Sequence, residues 1–315
     1  MTQDPPRSNL ELIRFPLIFT VWSDVLMGCF LAASASGVTL VWSQVALLLT
    51  VTTLVYTGGM TLRDCSEYES DREHGHRQTL PAGVLSVHGA YAIGILMVLL
   101  AVGGATLLSA SAGLLSVLVA LLLLGFASWT RGLPFLGSMN VALLRGTTVV
   151  MGMAFAGAGG PVVSTLEHWG PPAAVFAYVF LATRIGAEQA HPRREGVLRL
   201  TGALIVLLVV LHALVYVSPL SKARFTDGLV LSVFVLVVVV RLVQLARRAV
   251  ARPSAESVGK LEVGALVAII VLNAGLTAMA GTLVPTLGVL FLLLPTVVLL
   301  RFFHLLFPGT RSAID

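Results

Sequence analysis

The sequence predicts an all-α fold, a polytopic membrane helical bundle, from three observations. Hydrophobic residues fill 57% of the 315 positions and charged residues only 11%, too few polar groups to cover a water-soluble protein of this length. The apolar residues recur in runs of about 20, each long enough to cross a hydrocarbon core of roughly 30 Å as a helix. Arg and Lys gather on alternate joins between these runs, the asymmetry of a chain that crosses the membrane many times. The length would allow two soluble domains; the composition excludes them, and residues 1–315 are read as a single transmembrane domain.

The runs span 15–33, 41–62, 87–108, 113–130, 139–158, 171–188, 197–217, 227–246, 260–281 and 284–304. Gly159-Gly160-Pro161 and Gly170-Pro171-Pro172 punctuate two joins, whereas Gly281 alone is a weak break between the last two runs. With ten spans, one side of the membrane carries Arg7, Arg14, Arg63, Arg72, Arg77, Arg131, Arg184, Arg193, Arg194, Arg199, Arg241, Arg247, Arg248, Arg252, Lys260, Arg301 and Arg311. The other carries only Lys222 and Arg224. This predicts a multi-pass protein, of the bacterial inner membrane, with both termini cytosolic. The net charge of +5 is therefore a topology signal and predicts no nucleic-acid partner. Arg7 and Arg14 ahead of the first run make it an uncleaved anchor. Cys29 and Cys65 imply no disulfide framework.

Chemistry concentrates between Gly58 and Ser86, where Asp64, Glu67, Glu69, Asp71 and Glu73 place five carboxylates within ten positions. Asp64, Glu67 and Asp71 stand at i, i+3 and i+7, so a helix continuing out of the second run presents all three on one face. Three carboxylates on a face repel unless a cation lies between them, and an all-oxygen set suits Mg²⁺ shared with substrate phosphates. Arg72 and Arg77 follow and can hold phosphate oxygens in a bidentate way. Leu80-Pro81-Ala82-Gly83 stops the segment, and Ser86 is placed to cap the next helix.

The stretch resembles the first signature of the UbiA family of intramembrane prenyltransferases, N-D-x-x-D-x-x-x-D followed after a spacer by a run close to R-P-L-P-S-G-x-I-S. The matching residues are Arg63-Asp64, Glu67 and Asp71, then Gln78-Thr79-Leu80-Pro81-Ala82-Gly83-Val84-Leu85-Ser86. Two acids are kept, Glu67 is a conservative change, Arg63 stands for the Asn and Gln78 for the Arg. The resemblance implies a UbiA-like bundle of nine core helices, and Mg²⁺ and a prenyl diphosphate as cofactor and substrate. A second family motif, typically D-x-x-x-D, corresponds to Thr183–Glu195, where Arg184 and Glu188 occupy the two acidic positions. The resemblance thus implies metal ligands at Asp64, Glu67, Asp71 and Glu188. Arg184 is either a fixed cation in place of a second metal or half of an intrahelical ion pair with Glu188. Leu12-Ile13-Arg14-Phe15-Pro16, the Glu-centred second motif and Met139–Gly146 resemble the EboC-like branch of the family.

Two charges fall inside predicted spans, Asp24 in the first and Arg145 in the fifth. Ionisable groups at that depth face a cavity or a partner. They read either as part of a polar cleft, with Arg145 on diphosphate and Asp24 near the acceptor, or as a buried pair fixing helix packing. Arg131 stands where relatives carry a Tyr and a downstream Lys, and reads as a phosphate contact or an interfacial anchor. His212, Asn273 and His304 read as packing residues.

The expected function is a Mg²⁺-dependent prenyltransferase that moves a prenyl group from a prenyl diphosphate to an unidentified aromatic or lipid acceptor. A UbiA-like protein that binds or transports a lipid-like molecule without turnover is the alternative, supported by the altered second motif. A CDP-alcohol phosphotransferase is a third option, and the aspartate set it requires is missing.

Overall fold

The computed structural model describes residues 17–73, 86–126, 133–157, 166–217, 221–223 and 225–306. These form α1 (Ile18–Ser36), α2 (Trp42–Glu73), α3 (Val87–Leu108), α4 (Ala110–Gly125), α5 (Pro134–Ala156), α6 (Gly170–Ala187), α7 (Arg194–Val217), α8 (Phe225–Ala251), α9 (Ala255–Thr277), α10 (Leu283–Phe291) and α11 (Leu293–Leu306). Single 3₁₀ turns at Leu166–Trp169 and Ala278–Ala280 precede α6 and follow α9.

Local sequence accounts for the boundaries. Ser86 caps α3 by accepting from the Gly89 N–H at 3.1 Å, as expected, and Ser109 caps α4 by accepting from Ala112. Pro134 opens α5 at a position where its missing N–H costs nothing. Ser254 and Ser257 form a capping box at the start of α9. Gly281, at φ 82°, is a real break after α9, because its left-handed conformation is one that side-chain-bearing residues resist. Pro295 lacks the N–H that would bond the Phe291 carbonyl, and the last rod is accordingly split between α10 and α11.

Eight segments are long and apolar enough to cross a membrane, counting α10 with α11 as one. The remaining two rods are α4, which is shorter, and α6, whose apolar run is diluted by Gly170, Pro171, Pro172 and Arg184. Among the described residues each of the ten apolar runs therefore corresponds to one rod, and the protein is an integral multi-pass membrane protein. Leu99, Leu107, Leu114, Val206, Val233 and Leu236 lie exposed on α3, α4, α7 and α8, the apolar girdle that a bilayer would cover. The enclosed helices are α9, α1 and α5.

Close helix approach builds the centre. A first side-chain carbon at Gly28 of α1 would collide with the Val149 carbonyl of α5, and one at Gly152 of α5 with the Val25 carbonyl of α1. The two backbones touch there, as small residues permit in membrane bundles. Tyr178 of α6, fully buried, donates its hydroxyl to the Ala265 carbonyl of α9 at 2.9 Å. Successive rods alternate in direction, so the start of α1, the end of α2, the start of α5, the end of α6 and the start of α9 meet at one end of the bundle. The largest described cavity opens there.

Candidate active site

This cavity has a volume of about 390 Å³ and is lined from six helices. Leu17 and Thr20 come from the start of α1, Tyr56, Met60 and Arg63 from α2, Leu123 and Phe126 from α4, and Pro134 to Arg145 from α5. Val179, Thr183, Gly186, Ala187 and Gln189 come from α6 and its end, and Glu262 and Leu266 from α9. Its lining mixes polar groups, among them Thr20, Arg63, Asn140, Arg145, Thr183, Gln189 and Glu262, with apolar ones from the same helices.

The wall formed by α2 carries the predicted acidic motif. The helix is unbroken for 32 residues, about 48 Å at 1.5 Å per residue. That exceeds the roughly 30 Å of a hydrocarbon core, so its final turns extend past the apolar span ending at Ser66. Tyr56, Met60 and Arg63 line the cavity at i, i+4 and i+7, and the same stripe continues to the register position of Glu67. Asp64 and Asp71 flank it on one side, which puts the three acids on one helical face as expected. The Asp64 side chain is half-buried; for Glu67, Asp71 and Arg72 the described structure is that of the backbone. Arg77 and Arg131 lie outside the described residues. Arg63, which the motif comparison treated only as a replacement for Asn, lines the cavity with its guanidinium over the Phe126 ring, 5.4 Å from the centroid.

On the α5 side, Arg145 reaches the cavity but is already engaged. Its Nε stands 2.5 Å from Asp24 Oδ2, and its two terminal nitrogens donate to the Thr20 hydroxyl at 2.9 Å and the Thr20 carbonyl at 2.7 Å. Asp24 is fully buried and also accepts from Asn273 Nδ2 at 2.7 Å. Of the two readings of this pair, the packing one describes the contacts: Asp24 does not line the cavity, and Asn273 is a polar partner rather than inert packing. Arg145 still presents an edge to the cavity beside Thr20.

The α6–α9 wall departs from expectation. Neither Arg184 nor Glu188 lines the cavity. The Glu188 carboxylate instead lies against Gly196 at the start of α7, where a side-chain carbon would stand 2.7 Å from its Oε2. Arg184 and Glu188 make no ion pair with each other among the described residues, so the intrahelical pair is not formed. The carboxylate in this wall belongs to Glu262 of α9, which accepts from Gln189 Nε2 at 2.6 Å. It packs so closely on Gly186 that a side-chain carbon there would collide with it. Sequence reading overlooked Glu262, which stands third in the run 260–281, close to its polar end beside Lys260, where depth gives a weaker signal than it does for Asp24 and Arg145.

A second void, with a volume of only about 10 Å³, lies inward between α1, α2, α4 and α5. It shares Tyr56, Leu123 and Leu144 with the main cavity and adds Val21, Thr52, Val55, Val119, Thr148 and Met151. Tyr56, Leu123 and Leu144 form a neck between the main cavity and this apolar void.

A cavity of about 390 Å³ lined by Arg63 and Arg145 together with apolar side chains, at one end of a multi-pass bundle, has room for a charged head group with a hydrocarbon tail. The UbiA prenyltransferase family pattern matches residues 21–261. The chain belongs to the UbiA prenyltransferase family. Among curated proteins it is 30% identical over 116 residues to digeranylgeranylglyceryl phosphate synthase of Methanoculleus marisnigri, covering 37% of this chain and 42% of that protein. It is 29% identical over 155 residues to the synthase of the same name from Halobacterium salinarum, covering 48% and 54%. The chain thus spans about half the length of the curated relatives it matches. Its fold is shared with a UbiA homologue from Aeropyrum pernix K1 (TM-score 0.59, 19% identity, 81% of this chain and 96% of that one). It is also shared with a solved digeranylgeranylglyceryl phosphate synthase (TM-score 0.57, 15% identity, 86% and 97%).

A divalent cation of the kind this family's motif implies can be tested against the residues present. The α2 face and Glu262 offer only oxygen donors, which suits Mg²⁺ better than a thiolate- or imidazole-preferring metal. Cys65 is directed away, its sulfur 3.9 Å from the Val87 carbonyl. Among the described side chains no three acids, His or Cys converge on one point. On donor chemistry and helical register, Asp64, Glu67 and Asp71 fit such an ion.

Proposed function

We propose that the protein is a Mg²⁺-dependent intramembrane prenyltransferase that moves a prenyl group from a prenyl diphosphate to an aromatic or lipid acceptor. The observation that carries this reading is the cavity of about 390 Å³ that combines Arg63 and Arg145 with apolar lining beside the helix bearing Asp64, Glu67 and Asp71. A passive lipid cavity has no use for Arg63 and a carboxylate face at its mouth.

In this reading the diphosphate rests at the mouth, beside Arg63 and the exposed edge of Arg145, with Arg72 and Arg77 following on the chain to clamp it. Asp64, Glu67 and Asp71 would hold Mg²⁺, which when bound neutralises charge building on the departing diphosphate. Asp24 and Thr20 fix the Arg145 guanidinium, so that its charge is in place before the bond to C1 breaks and needs no reorganisation. Tyr56, Leu123 and Leu144 would keep water from the allylic carbon while the acceptor nucleophile attacks C1. The prenyl tail would lie along the apolar side of the main cavity between α2, α4 and α5, toward Tyr56, Leu123 and Leu144. Arg184 and Glu188 have no direct part in this arrangement. The positive-side count supports a cytosolic mouth in a bacterial inner membrane, and the short EboC-like stretches support that branch.

The test is turnover of radiolabelled geranyl, farnesyl and geranylgeranyl diphosphates by purified protein in lipid nanodiscs, with extracted membranes as acceptors. Mg²⁺-dependent transfer of label to an organic-soluble product is expected, and chelation should abolish it. Tight binding of the diphosphate without release against every acceptor fraction would instead identify a carrier.

A further inference from the structure

We propose that the protein binds a phosphate group at the end of the bundle opposite the candidate active site, in a cavity headed by Lys222. This second site does not depend on the reaction proposed above.

The cavity has a volume of about 150 Å³, well above the roughly 15 Å³ that houses one water. It lies between the ends of α1, α5 and α9 and the start of α6. Ser34, His168 and Lys222 are its polar lining, and Leu31, Met153 and Met279 belong to its apolar lining. Three contacts place Lys222 there. Its backbone N–H donates to the Met279 carbonyl at 3.1 Å. The base of its side chain packs on Gly281, where a side-chain carbon would stand only 2.6 Å from Lys222 Cβ. Its ammonium donates to the Ser34 carbonyl in the last turn of α1 at 3.4 Å. The Ser34 hydroxyl in turn donates to the Ala280 carbonyl at 3.0 Å, which ties α1 to the end of α9.

The charge on Lys222 is unanswered. Among the described residues it is the only Lys or Arg at this end of the bundle, and it forms no ion pair. Lys and Arg are scarce on this side of the chain, so a cation turned into a cavity here runs against the bias of the whole sequence. An ammonium has three donors, and one long bond to a carbonyl leaves two of them for a ligand. Lys222 is also exposed, which keeps it charged and open to a ligand arriving from outside the bundle. The ligand is therefore anionic, and phosphate oxygens accept charge-assisted hydrogen bonds from a lysine acting as a point charge. The apolar side chains beside it suit carbons attached to that phosphate, as in the head group of a membrane phospholipid. A free phosphate would use the same contacts.

Two probes distinguish these sources. The first is phosphatidylglycerol with a diazirine on the first carbons of one acyl chain, held at low mole fraction in phosphatidylcholine nanodiscs. Its labelling of peptides containing Leu31, Met153 or Met279 is measured for wild type, Lys222→Met and Arg247→Met, the last an exposed cation at the other end of the bundle. The second is radiolabelled inorganic phosphate in equilibrium dialysis with the same three proteins in detergent. Circular dichroism confirms equal helix content. Labelling by phosphatidylglycerol about tenfold weaker in Lys222→Met, the scale of one charge-assisted hydrogen bond, and unchanged in Arg247→Met is the expected result, and identifies a lipid head group. Retention of inorganic phosphate that needs Lys222, without Lys222-dependent lipid labelling, upholds the site and assigns it a soluble phosphate. If neither probe distinguishes Lys222→Met from wild type, or if Arg247→Met falls as far as Lys222→Met, the proposal is overturned.

Discussion

The two walls of the cavity are built on different principles. The α2 wall is linear: one long helix, a stripe from Tyr56 through Arg63 to the position of Glu67, with acids at i, i+3 and i+7. The α6–α9 wall is assembled. Its carboxylate comes from α9, its orienting amide from Gln189 after α6, 73 positions away along the chain, and the space between them from Gly186. A linear wall tolerates no loss of its acids, since helical register fixes where each one stands. An assembled wall depends on tertiary packing, which here brings Glu262 against Gly186.

That contrast sets the order of expected effects. Asp64→Asn or Asp71→Asn should lower diphosphate release by about 10²–10³-fold, the scale of losing an electrostatic anchor for the leaving group. Helix content should be unchanged, because relieving like-charge repulsion does not destabilise. Full activity in Asp64→Asn would reduce the α2 face to a solvated helix end.

Arg145→Ala should act on both walls at once, through stability. It leaves the fully buried Asp24 without its ionic partner, a change expected to cost about 3–5 kcal/mol. The check is thermal unfolding in detergent. Asp24→Asn combined with Arg145→Met should recover much of the loss in stability without recovering activity, if Arg145 also serves the diphosphate.

Widening the neck sharpens the apolar half of the comparison. Leu123→Ala or Leu144→Ala joins the main cavity to the inner void, and should shift preference toward longer prenyl diphosphates by about tenfold, the scale of one or two methylenes in an apolar pocket. The readout is the ratio of kcat/KM for geranylgeranyl over geranyl diphosphate. The smallest effect belongs to Arg184→Ala. The side chain lies off the cavity, so turnover should change by less than about threefold, within the range of a screened surface charge. A loss comparable to that of Asp64→Asn would restore Arg184 as the fixed cation of the second motif.

The fold was largely legible in the sequence, because a membrane imposes one simple rule per element. Ten apolar runs gave ten rods among the described residues, Ser86 capped the helix it was expected to cap, and the α2 register followed from a spacing. The site was legible where it followed a single helix. Depth in an apolar run identified Asp24 and Arg145 as needing partners, and they found each other, with Asn273 as a third member 249 positions from Asp24. What spacing could not reveal was which helix faces which. Glu188 occupies a motif position yet turns to Gly196: α6 ends at Ala187, and Glu188 is its C-cap residue. Glu262 matches no motif and gains its place only from tertiary packing, fixed by the Tyr178–Ala265 bond that seats α6 on α9.

The central claim, that a prenyl diphosphate occupies this cavity with its tail along the apolar side between α2, α4 and α5, is tested most directly by photocrosslinking. A farnesyl diphosphate analogue with a diazirine near its tail end would be activated on the reconstituted protein and the labelled peptides mapped. The account predicts labels on α2, α4 and α5 around Tyr56, Leu123 and Leu144, competed away by unlabelled farnesyl diphosphate. Competable labels confined to the pocket at the opposite end of the bundle, around Leu31 and Met279, would contradict it.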